Sequence, residues 1–91
     1  MISVNSFALF QNYPNPFNPT TTIRFALPVE SRVKINIYNS LGQLVETLAD
    51  KDMKSGYHEI SFNASRLASG VYFYKLNSGN FVETRKMLLM K

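Results

Sequence analysis

Apolar and polar residues alternate with a period of two through most of this chain, and helical periodicity is almost absent, which points to an all-β fold. Between Thr21 and Leu27, Ile23, Phe25 and Leu27 share one face, and Thr22, Arg24 and Ala26 the other. Between Val33 and Asn39, Val33, Ile35 and Ile37 face in and Lys34, Asn36 and Tyr38 face out, as in a strand with one buried side. Gly42 follows in a turn, where it can take a positive φ. A third strand runs from about Gln43 to Ala49; Leu44 and Val45 are adjacent apolar residues, which calls for a bulge or a two-sided position. Asp50 to Gly56 reads as a charged loop. Tyr57 to Phe62 then places His58, Ile60 and Phe62 on one face.

After a turn-rich connection from Asn63 to Gly70, the segment Val71 to Asn77 is apolar on both faces and reads as a central, buried strand. Ser78-Gly79-Asn80 is a hairpin turn, and the last strand runs from Phe81 to about Met90. At the other end, Phe7, Leu9 and Phe10 make a short edge strand. The intervening Pro14, Pro16 and Pro19 cannot donate ladder hydrogen bonds, so Tyr13 to Pro19 is extended but no central strand; Phe17 within it can cap one end of a core. About seven short strands with frequent turn signals predict an immunoglobulin-like antiparallel β-sandwich. Tyr72, near the start of a central strand and just after Gly70, matches the tyrosine corner of such folds, in which the hydroxyl bonds back to upstream backbone. With 91 residues there is room for one core. Residues 1–6 read as a linker remnant, with Met1 added to start an excised domain, and residues 7–91 as that domain.

Chemistry has little material here. There is no cysteine and a single histidine, His58, so thiol catalysis, zinc fingers and two-histidine metal sites are excluded. The six carboxylates are scattered, and no nucleophile elbow or phosphate-binding loop occurs. Asp50-Lys51-Asp52 reads as solvated loop and His58 as a strand-end residue half covered by its neighbours. The formal charge is +4, yet residues 1–74 carry six basic and five acidic groups; Lys75, Arg85, Lys86 and Lys91 against Glu83 give the last seventeen residues +3. No basic cluster exceeds Arg85-Lys86, which argues against nucleic-acid binding. The sequence therefore predicts no enzyme, no cofactor, no metal and no small-molecule substrate.

Two segments are more specific than their composition. Residues from Gln11 through Pro14, Asn15, Pro16, Phe17, Asn18 and Pro19 to Ile23 resemble the opening of type A C-terminal sorting domains of type IX secretion. Val33 to Val45, Leu67 to Leu76 and the terminal Lys86-Met87-Leu88-Leu89-Met90-Lys91 resemble the same family, in order, over nearly the whole chain. The resemblance implies a seven-stranded sandwich at the C-terminus of a cargo protein. It implies passage through the periplasm of a Gram-negative bacterium, recognition by the outer-membrane translocon, removal by a sortase, and attachment at the cell surface or release. It puts the sorting signal on Gly70, Tyr72 and Lys86 to Lys91, a structural role on Pro14 to Pro19, and cleavage near Ser3 to Ser6 or further upstream. Deleting Met87 to Lys91 is then expected to abolish export.

If the last strand lies at a sheet edge, it offers backbone for strand addition by a partner or for homodimerisation. Two other readings stand beside this one. A passive immunoglobulin-like assembly module, similar to flagellar hook-cap domains, would use the same fold. A carbohydrate-binding accessory domain would need aligned, exposed aromatics, for which Tyr38 and Tyr57 are the outward-facing candidates.

Overall fold

The computed structural model describes residues 4–91, so the readings made of Met1 and Ser3 lie outside the described residues. Seven strands form where the alternation places them: β1 (Ala8–Leu9), β2 (Thr20–Leu27), β3 (Ser31–Asn39), β4 (Leu44–Met53), β5 (Gly56–Asn63), β6 (Gly70–Ser78) and β7 (Phe81–Leu89). They make two antiparallel sheets, one in the order β1-β2-β5 and the other β4-β3-β6-β7. The sandwich expected from the sequence is thus present, with β4 beside β3 and β6 central to its sheet.

The inward rows of the strands meet between the sheets. Ile23, Phe25 and Leu27 of β2, Val33, Ile35 and Ile37 of β3, Tyr74 and Leu76 of β6, and Met87 and Leu89 of β7 are all buried, and Phe17 and Phe62 close one end. A side chain of this size contributes roughly 1.5–3 kcal/mol on burial, so this shared core is the main favourable contribution to the fold.

Two features depart from the sequence reading. Asp50 to Met53 belongs to β4, because Asp50 and Asp52 stand opposite Lys34 and Arg32 across the ladder. Arg32 reaches Asp50 at 3.0 Å and Asp52 at 3.8 Å. Both pairs are exposed and stabilise little, but alternating charge suits an edge strand. The irregularity foreseen at Leu44-Val45 appears twice: the β3–β4 register slips between Ile35 and Asn36 and again between Ile37 and Tyr38. The extra residues fall at Leu48 and Val45, and both are half-buried against the core. Two bulges therefore let a strand without clean alternation keep its apolar groups inward.

The turns follow their chemistry. Gly42 has φ +83° in the β3–β4 hairpin, where Asn39 Oδ1 accepts the N–H groups of Leu41 and Gln43. The Asn63–Gly70 connection holds a single turn closed from Leu67 N–H to the Ala64 carbonyl at 3.0 Å. His58 is half-buried, as expected, its ring stacked on Phe25 at 5.4 Å and its Nε2 2.7 Å from the Lys54 carbonyl.

Candidate interaction site at the C-terminal strand

β7 lies at the edge of the four-stranded sheet, and its alternation divides the terminal motif into two sets. Met87 and Leu89 point inward and are buried. Lys86, Leu88 and Met90 point the other way; Lys86 and Met90 are exposed and Leu88 is half-buried. The apolar run is therefore part core and part surface. Deleting Met87 to Lys91 would remove two core side chains, so that truncation does not separate recognition from folding.

From Lys86 to Met90 the edge is not open. There the proline-rich block lies along it as a clamp and takes up its outward backbone groups. Gln11 Nε2 donates to the Lys86 carbonyl at 2.8 Å. Leu88 N–H donates to Asn15 Oδ1 at 2.9 Å. Phe17 N–H donates to the Leu88 carbonyl and Met90 N–H to the Phe17 carbonyl, both at 3.0 Å, forming an isolated parallel bridge between Phe17 and Leu89. Strand addition by a partner or a second copy, foreseen for an open edge, conflicts with these bonds from Lys86 to Met90.

The block can do this because its shape is fixed from within. Asn12 is buried, and its Nδ2 donates to the Pro14 carbonyl at 3.1 Å and to Thr21 Oγ1 at 3.0 Å. Thr21 Oγ1 donates in turn to the Pro14 carbonyl at 2.8 Å. Tyr13 exchanges two backbone hydrogen bonds with Thr22, each 3.0 Å, and the Pro19 carbonyl accepts from Ala64 N–H at 2.8 Å. Phe17 is buried with its ring 6.2 Å from Phe62. Asn15, Pro16 and Asn18 remain exposed. Gln11, Asn12 and Thr21 fell within the resembling segment but were given no role of their own from the sequence; the signal was an amide pair and a hydroxyl flanking a run in which three prolines lack an N–H.

Gly70 and Tyr72 sit on the other side of β7. Gly70 stands opposite Leu89 and Tyr72 opposite Met87. Gly70 has φ +152°, a conformation that resists any side chain even though the space beside it is empty. The Tyr72 hydroxyl donates to the Ala68 carbonyl at 2.6 Å, the bond of a tyrosine corner. Tyr74 is fully buried and donates to the Phe10 carbonyl at 2.6 Å. Burial pushes its pKa up to about 12, opposed by the Asn12 backbone and the Arg85 guanidinium.

The basic excess of the C-terminal segment is partly spent inside the fold. Arg85 donates from Nε to the Leu9 carbonyl at 2.6 Å and pairs with Glu83 at 3.1 Å. Lys91 donates from Nζ to the Ser65 carbonyl at 2.6 Å and from its backbone to Ser69 Oγ at 3.1 Å. Lys75 and Lys86 remain on the outer face. There the ladder aligns Leu44, Tyr38, Phe73 and Lys86 in one row across all four strands, with Val71 and Leu88 paired beside it. Asn15, Val71, Lys86, Met87 and Leu88 line a hollow of about 160 Å³ next to the clamp. An outer face with so many apolar groups is unusual for a sheet open to water, where polar residues are the rule. Tyr38 belongs to this face, whereas Tyr57 lies on β5 in the opposite sheet, so the two do not form one aromatic surface.

A family model described as "Secretion system C-terminal sorting domain" matches residues 11–90. The fold is also similar to part of a solved structure, that of PorZ, an essential bacterial surface component of the type-IX secretion system of the human oral-microbiomic Porphyromonas gingivalis. The match has a TM-score of 0.65 at 21% identity and covers 91% of this chain but 11% of that one. At that identity the likeness is one of fold. No curated protein matches the chain.

Proposed function

This chain belongs to the family of type IX secretion C-terminal sorting domains, and from that premise we propose that it is the detachable export signal of a cargo joined at its N-terminal end. The family implies a type IX sorting signal on a secreted protein in transit to the outer membrane or cell surface. Sorting-signal domains of this kind are not typically catalytic. In our reading the translocon recognises the folded domain, a sortase then cuts at or upstream of residues 3–6, and the cargo is anchored or released outside the cell.

One observation carries this reading: the two most family-specific segments, Pro14 to Pro19 with Gln11 just before it and Lys86 to Lys91, are hydrogen-bonded into a single seam. A signal that must work behind many cargoes needs a shape independent of them, and this seam supplies it from the domain's own ends. Lys86, Leu88 and Met90 remain outward and are the groups a receptor would read; Gly70, Tyr72, Met87 and Leu89 hold them in place. This replaces strand addition by docking of a side-chain face as the mode of recognition. A reporter with a signal peptide at its start and this chain at its end is expected outside a type IX-competent host and in the periplasm of a mutant lacking the translocon. Equal export from both hosts would contradict the proposal.

A further inference from the structure

We propose that the outer face of the three-stranded sheet binds a neutral saccharide at Tyr13, Arg24 and Glu59, a role separate from the β7 face. Arg24 on β2 and Glu59 on β5 stand directly opposite in the ladder, the arrangement that normally yields a cross-strand ion pair. Among the described residues they form none. The guanidinium instead lies over two rings, with Cζ 5.3 Å from the Phe10 centroid and 6.0 Å from that of Tyr57. Stacking holds the fork of donors in place without spending its hydrogen bonds, and it leaves the Glu59 carboxylate free to accept.

Both groups line a cavity of about 360 Å³ with Phe10, Gln11, Tyr13 and Thr22, at the lower end of the range for small-ligand pockets. Tyr13 is 81% exposed, yet its backbone is pinned to Thr22 by two hydrogen bonds. Its backbone is thereby fixed in place, and a tyrosine has few rotatable bonds to order, so the ring is a contact surface that costs little entropy on binding. The site thus offers an aromatic plate, a fixed donor fork and an unpaired acceptor within one hollow. A sugar matches all three: its C–H face covers the Tyr13 ring, while its hydroxyls both accept from Arg24 and donate to Glu59. Opposite charges at close range favour a neutral ligand, since an anion would meet Glu59 and a cation Arg24.

The test is an amide-resolved NMR titration of the chain with cellohexaose, xylohexaose and mannohexaose in turn. The proposal expects saturable shifts at Tyr13, Thr22, Arg24 and Glu59 with at least one of them. Tyr13→Ala and Glu59→Gln should each weaken that binding roughly tenfold or more while the rest of the spectrum stays in place. No saturable shift with any of the three sugars, shifts confined to the Tyr38 and Phe73 face, or undiminished binding by both variants would overturn it. None of these outcomes depends on whether the domain directs export.

Discussion

Phe17 and Leu89 are joined by a short parallel bridge, in which Phe17 N–H donates to the Leu88 carbonyl and Met90 N–H donates to the Phe17 carbonyl. The contact ties the proline-rich block near the start of the domain to the last strand. It puts the Phe17 ring in the core and its backbone on the sheet edge, so one residue serves both packing and edge protection.

Phe17→Ala should therefore be among the most damaging single changes. Loss of a buried ring of this kind costs roughly 3–5 kcal/mol, a large share of the stability of a small domain. The amides of Leu88 and Met90 should also lose protection in hydrogen exchange. A variant with near-normal stability would show that the clamp contributes little.

Tyr72→Phe removes one hydroxyl whose partner, the Ala68 carbonyl, lies on an exposed residue. A loss of about 1 kcal/mol in denaturant unfolding is expected, since the carbonyl can turn to water. Export should survive if the domain stays folded. An unchanged unfolding midpoint would mean that the corner bond carries no weight.

The raised pKa of Tyr74 has a direct consequence at high pH. Its folded value of about 12 lies above the ordinary 10, so the folded state holds the proton more tightly than the unfolded chain. This contribution is complete below pH 10 and is lost as the pH rises from about 10 toward 12. Unfolding measured from pH 8 to pH 12 should show a fall that begins near pH 10. In Tyr74→Phe that fall should be shallower by one proton. An identical pH profile in the variant would contradict this assignment.

Much of this was readable from the residues themselves. Ile23, Phe25 and Leu27, or Val33, Ile35 and Ile37, declare their inward face by spacing alone, and Tyr72 after Gly70 declares a corner. The extent of β4 was not readable, because Asp50 and Asp52 look like loop until Lys34 and Arg32 are placed opposite them. The closing of the β7 edge was hidden for a similar reason. Asn15 and Leu88 lie 73 residues apart, and a side-chain acceptor for a strand N–H leaves no local pattern. Tyr38 and Tyr57 both point outward, but only the strand order reveals that they point away from each other. Alternation gives the face of a residue; partners across a sheet depend on topology.

The export machinery should read the outward residues at the end of the chain, Lys86, Leu88 and Met90, held by the clamp. The most direct measurement compares export of a reporter bearing the native chain with one bearing Lys86→Glu, Leu88→Ser and Met90→Ser together, with the melting temperature of each isolated domain measured alongside. These changes spare the buried Met87 and Leu89 and every backbone hydrogen bond to Gln11, Asn15 and Phe17. The expected result is a folded domain, with a melting temperature within a few degrees of the native one, whose reporter stays in the periplasm. Normal export of that folded variant would contradict it.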